Sequence, residues 1–199
     1  MKNNTEIKKR NFLTQNEIES LLYTASTGVH PERNYCLILL CFTHGLRASE
    51  ICRLRISDID LNAKCIYIHR LKNGFSTIHP LLNKEIIALK SWLDVRLRFH
   101  QSSSEWLFLS RKGNPLSRQQ FYHIISISGY NAGLSLDIYP HMLRHSCGYA
   151  LADKGIDTRL IQDYLGHRNI RHTVWYTASN AGRFHGIWEA KHNRRTEIY

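Results

Sequence analysis

The chain has 199 residues with 43% apolar content and charges spread along its length, which excludes wholesale disorder and suits one domain with its own core. Lysine and arginine outnumber aspartate and glutamate by 27 to 16, a balance that favours a polyanionic partner such as nucleic acid but equally serves plain solubility. The polar, basic stretch from Met1 to Arg10, the lack of any membrane-length apolar run and five cysteines without a C-x-x-C pair argue against a leader, a membrane anchor and a disulfide scaffold.

Thr14 and Glu17 have the spacing of a capping box ahead of Ile18, Leu21 and Leu22, which predicts a first helix starting near Thr14. Pro31 suits the first turn of a second helix, whose apolar run from Tyr35 to Phe42 reads as core before Gly45 interrupts it. Helical period resumes from Leu46 to Cys52. Between Ile56 and Pro80 the pattern changes to three β-rich segments, Ile56 to Leu61, Cys65 to His69 and Phe75 to His79, broken at Asn62-Ala63 and Asn73-Gly74. They predict a small antiparallel sheet.

A helical pattern returns after Asn83 and runs through Leu93, and a turn from Arg111 to Pro115 precedes another helix starting near Ser117, with Gly129 and Gly133 expected to close it. His141 to Trp188 reads as short helices split at Gly155, Gly166 and the Gly182 to Gly186 region. The expected fold is mainly α with a small antiparallel β-sheet, an α+β class. Cys36, Cys41, Cys52, Cys65 and Cys147 read as reduced thiols of a cytoplasmic protein.

The chemistry concentrates near the C-terminus. His141, Arg144 and His145 fall at i, i+3 and i+4 of a helix and share a face that can converge on one anion. Arginine suits phosphate because its planar fork donates parallel hydrogen bonds. Arg47 follows the Gly45-Leu46 break, with Glu50 three residues on as a partner to hold its guanidinium.

Gly45-Leu46-Arg47-Ala48-Ser49-Glu50, His141 to His145, and Leu165-Gly166-His167 followed nine residues later by Tyr176 together resemble the tyrosine recombinase (phage integrase) family. Across nearly the whole chain the resemblance is closest to short FimB/FimE-type recombinases that invert a promoter element controlling fimbrial expression. It implies a catalytic-domain fold without the usual N-terminal core-binding domain, divided into a basic segment at 1–11, the catalytic domain at 12–180 and a tail at 181–199. In that tail Phe184 and Trp188 can anchor in a neighbouring protomer or pack on their own core.

By the same resemblance Arg47, Lys72, His141, Arg144, His167 and Tyr176 form the catalytic set, with Glu50 and His145 in support. Arg47 and Arg144 would stabilise charge building on the phosphate, and Tyr176 would attack phosphorus to give a 3′-phosphotyrosine with His141 assisting its deprotonation. Lys72 would protonate the departing 5′ oxygen and His167 would hydrogen-bond the phosphate. No metal or other cofactor is needed in this scheme. Arg70, His172, Lys8, Lys9 and Arg10 are candidate DNA contacts. The implied partner is double-stranded DNA carrying short inverted repeats, bound by a homotetramer with accessory DNA-bending proteins, in a bacterial cytoplasm at the nucleoid.

Plainer readings exist for each residue. Tyr176 among Val174 and Trp175 is by composition a packing aromatic, Arg47 with Glu50 a surface ion pair, and Lys72 a solvated turn residue beside Arg70. His141 and His145 have the spacing of zinc ligands, but Met142 stands where a metalloprotease needs glutamate. His30, His69, His79, His100, His123, His185 and His192 read as surface or partly buried. The rival functions are a mobile-element integrase or excisionase, a type IB topoisomerase, and a DNA-binding regulator that keeps the fold without the chemistry.

Overall fold

A computed structural model describes residues 10–71, 74–99 and 103–178. Eight helices and three strands follow in the order α1 (Gln15–Thr27), α2 (Pro31–Thr43), α3 (Ala48–Ile51), β1 (Ile59–Asp60), β2 (Cys65–Ile68), β3 (Thr77–Pro80), α4 (Asn83–Arg96), α5 (Arg118–Asn131), α6 (Pro140–Asp153), α7 (Thr158–Leu165) and α8 (Arg171–Ala178) among those residues. The local signals that start the helices are the ones the sequence predicts. Thr14 caps α1 in a reciprocal box with Glu17, Pro31 opens α2, and Ser117 caps α5 with Gln120.

Helix α2 is the centre of the core. Six consecutive residues, Cys36 to Cys41, are fully buried, so this helix is apolar all round because α1, α4 and α6 cover its sides. Each buried Leu or Ile contributes about 1.5–3 kcal/mol of transfer free energy, which makes α2 the frame on which the other helices are placed. A smaller cluster, Cys147, Ala152, Ile161, Leu165 and Tyr176, joins α6, α7 and α8. The cysteines are all free thiols, four of them buried.

The sheet is antiparallel in the order β1-β2-β3. It is shorter than its sequence suggests. Ile56 to Asp58 form a 3₁₀ turn in place of a strand start, because Asp58 Oδ2 accepts the Arg55 amide at 2.8 Å and closes a tight cap. Gly133, at φ +68°, ends α5 in the left-handed conformation as expected, but Gly129 does not close the helix. It lies inside α5, where an added Cβ would stand 2.5 Å from Ile138 Cγ1, so its role is close packing. Among the described residues no helix is long and apolar enough to cross a membrane.

Candidate active site

Two helix ends build the floor of the site. Gly45, at φ +56°, turns the chain sharply after α2, and Gly166, at φ +66°, does the same after α7. The last carbonyls of a helix have no partner within it and carry its partial negative charge. Here they face each other and hold two guanidinium groups. Arg144 on α6 donates to Gly45 O at 2.5 Å and to Leu165 O at 2.7 Å. Arg70, just past β2, donates to His44 O, Gly45 O and Tyr164 O at 3.1, 3.3 and 2.7 Å.

Arg70 therefore does not serve as the DNA contact expected from its sequence neighbourhood. It is 6% exposed and adds a 3.0 Å bond to Glu50 Oε2, so its fork is turned into the protein and consumed there. Glu50 in turn accepts the Arg47 amide at 2.9 Å and Arg47 Nη1 at 2.6 Å. Burial pushes the Glu50 carboxyl up, but the Arg47 amide and the Arg70 and Arg47 charges outweigh it and hold the group below the usual carboxylate range. Arg47 itself stays partly exposed at the cleft. Burial, then the neighbouring charges of Arg47 and Arg70, push Arg144 down to about 10, which still leaves it charged at neutral pH. Arg47 and Arg70 share the Glu50 carboxylate while Arg144 is held by main-chain carbonyls, so the three guanidiniums leave a surplus of positive charge that favours an anion in the cleft.

Helix α8 supplies the phenol. The Tyr176 ring is 3% exposed and lies flat over Gly148, with its hydroxyl 3.0 Å from His145 Nδ1. Burial raises its pKa, and the Arg144 and Arg47 charges only partly oppose this, so the phenol is pushed up to about 12. Burial, then His141 and Arg144, push His145 down to about 4, which keeps it neutral at physiological pH. His141, the expected assistant, lines the same cleft and meets the His145 ring edge-on at 4.5 Å, and His145 Nδ1 lies 3.0 Å from the phenol.

His167, just past the Gly166 turn, is anchored through Nδ1 to Thr173 Oγ1 at 2.9 Å, which leaves Nε2 as its other polar atom. Burial, then Arg144 and Arg47, push it down to about 3. Thr173 is fully buried and one turn before Tyr176 on α8, so a single helix places both the phenol and the histidine's anchor. A cleft of about 780 Å³ is lined by Arg47, His141, Arg144, His145, His167 and Tyr176, with Arg10, His172 and Trp175 at its walls. Arg10 shares its charge with Glu17 at 2.6 Å. Lys8, Lys9, Lys72 and the segment 181–199 lie outside the described residues.

Three participants escape a reading of the sequence. Thr173 and Gly148 carry no local signal beyond helix-compatible composition. His79, read as a surface or partly buried histidine, is 3% exposed and bonded to the fully buried His44.

Chemically, the arginines can stabilise a phosphorane-like transition state while the phenol, next to a neutral imidazole, supplies a nucleophile. The profile of the phage integrase family matches residues 11–183. The chain is 77% identical over 195 residues to the type 1 fimbriae regulatory protein FimB of Escherichia coli K12, covering 98% of each, and 52% identical over 184 residues to FimE of the same strain, covering 92% of this chain and 93% of FimE. In structure it is similar to XerA recombinase, with a TM-score of 0.77 at 30% identity, over 86% of this chain and 61% of that one. A post-cleavage complex of XerH site-specific recombinase with palindromic difH substrate gives a TM-score of 0.75 at 29% identity, over 90% of this chain and 53% of that one.

Proposed function

The chain belongs to the phage integrase family, and we propose that it is a site-specific tyrosine recombinase that inverts a promoter element controlling fimbrial expression. The observation that carries the chemistry is the convergence of Arg47, Arg144, His145 and His167 around the buried hydroxyl-bearing ring of Tyr176 in one basic cleft. Near-complete coverage of FimB and FimE supports the fimbrial switch as the setting.

In this mechanism a backbone phosphate of duplex DNA enters the cleft and takes up the surplus positive charge. Tyr176 Oη attacks phosphorus and passes its proton to His145, while the P–O bond to the 5′ oxygen breaks. The product is a 3′-phosphotyrosine and a free 5′ end, protonated by Lys72. Because the phosphodiester energy is kept in the new bond, the 5′ hydroxyl of a partner strand can reverse the step without ATP. Arg47 and Arg144 act most on the transition state, so their loss should lower rate more than affinity. His141 borders the same cleft and contacts His145 from the side.

The sites are short inverted repeats paired by a homotetramer, with DNA-bending proteins assisting, in the bacterial cytoplasm at the nucleoid. The test is a nicked substrate carrying the candidate repeat, probed for a protein–DNA adduct that survives denaturant. The parent should form it and Tyr176→Phe should not. An adduct from Tyr176→Phe, or none from the parent, would overturn the mechanism. Inverted and directly repeated sites on a plasmid separate the readings: inversion alone supports the switch, and efficient excision favours a mobile-element enzyme.

A further inference from the structure

Behind the two arginines lies a buried polar chain that the strand-transfer chemistry does not use. His44, the residue that ends α2, and Glu85, in the first turn of α4, are both completely buried, with His44 Nε2 2.9 Å from Glu85 Oε1 but off hydrogen-bond alignment. His44 Nδ1 is 3.1 Å from His79 Nδ1, and His79 Nε2 is 3.0 Å from Thr77 Oγ1. The His79 ring stacks on Tyr164 at 3.9 Å, and the Tyr164 hydroxyl donates to Thr43 O at 2.9 Å.

Burying a carboxylate and two imidazoles is costly unless they serve one another, and removing one member leaves the rest unpaired. Their placement gives the cost a purpose. His44 is the last turn of α2 and Tyr164 the last turn of α7, the same two helix ends whose carbonyls hold Arg70 and Arg144. The side chains of residues 44 and 164 both meet His79, while main-chain carbonyls of residues 44, 45, 164 and 165 receive the guanidiniums. Glu85 fixes the assembly to α4.

We propose that the Glu85–His44–His79 chain is a positioning device for strand cleavage, locking the C-terminal ends of α2 and α7 in register so that Arg144 is aimed at the phosphate. His44 is the central positioning residue. It touches neither DNA nor the reacting atoms. The inference rests on the strand-cleaving mechanism above.

The experiment measures single-turnover adduct formation on the nicked substrate at saturating DNA, together with DNA affinity and thermal melting, in the full chain. Parent and Tyr176→Phe are run alongside. His44→Leu should slow adduct formation about tenfold or more, since misplacing a catalytic group by a fraction of an ångström costs rate before binding. Its DNA affinity should stay within about twofold of the parent, because rate and not ground-state binding depends on the aim of Arg144. His44→Gln, which can still reach Glu85, should recover most of the rate. Glu85→Gln keeps the shape of the side chain and should show the same selective loss, so it decides the matter if His44→Leu fails to fold. Parental rates in both His44→Leu and Glu85→Gln overturn the inference while leaving the mechanism intact. So does a rate loss matched by weaker DNA binding, or one that His44→Gln does not relieve. If the parent forms no adduct, the mechanism itself has failed.

Discussion

Adding one methyl group at Gly148 tests whether the floor under Tyr176 sets the reaction geometry. A Cβ there would stand 2.5 Å from Tyr176 Cε2 and 2.7 Å from both Cδ2 and Cζ. Carbon atoms pack at about 3.5–4.0 Å, so the ring must slide by roughly 1 Å. The hydroxyl now 3.0 Å from His145 Nδ1 would then lie beyond hydrogen-bond reach. Overpacking of this kind costs about 1–3 kcal/mol of stability, and a 1 Å misplacement of a reacting group about 10²-fold in rate. Gly148→Ala should therefore form the denaturant-stable adduct about 10²-fold more slowly at saturating DNA, with affinity retained and a modestly lower urea midpoint. Gly133→Ala is the matched control. Its φ of +68° makes alanine strained, yet nothing lies within 4 Å of the added Cβ, so it should lose about 1 kcal/mol of stability and no cleavage rate. A Gly148→Ala protein that cleaves at the parental rate, or a Gly133→Ala protein equally slow, refutes the reasoning.

Other outcomes follow from the same geometry. His145→Ala should lower the adduct rate by about 10²-fold or more through loss of the proton acceptor, with the deficit shrinking at high pH as the phenol ionises unaided; a pH–rate profile parallel to the parent's would exclude that role. Burial first, with nearby cations, pushes His79, His145 and His167 down to about 3, 4 and 3, whereas the unfolded chain binds protons near pH ~6.5. The unfolded state thus takes up more protons on acidification, so stability should fall steadily as pH drops from about 6.5 towards 4, and equal urea midpoints at about pH 7.5 and pH 5 would contradict it. Adduct formation should persist in excess EDTA, and DNA binding should weaken steeply with salt as phosphate contacts release counterions. Strict dependence of cleavage on a divalent metal, or salt-independent binding, would count against the mechanism.

Much of the frame was legible because it is written in local chemistry. Thr14, Pro31, Ser117, Gly133 and Gly166 act on neighbours a few residues away, and each does what its side chain or its lack of one dictates. The sheet illustrates where local reasoning stops. In Thr77-Ile78-His79-Pro80 alternation suggests an inward isoleucine, yet Ile78 is 62% exposed and His79 3%. The strand faces a polar interior made by His44, Tyr164 and Arg70, residues 35, 85 and 9 positions distant, which period-two reasoning has no means of anticipating. Arg70 was misread for the same reason: a basic residue near a turn looks solvent-bound until the helix ends that receive it are brought together. His145 and His141 share a helical face, and it is the approach of α8 that brings the phenol to His145 Nδ1.

The seat of Arg144 is made of main chain. Its bonds to Gly45 O and Leu165 O end on carbonyls that every residue type possesses. No single codon change can delete such an acceptor; it can only be displaced by rerouting the backbone. Heritable variation at the surfaces that meet DNA can therefore proceed without eroding this contact, and a laboratory selection for new target sites should find its changes elsewhere while the arginine keeps its place.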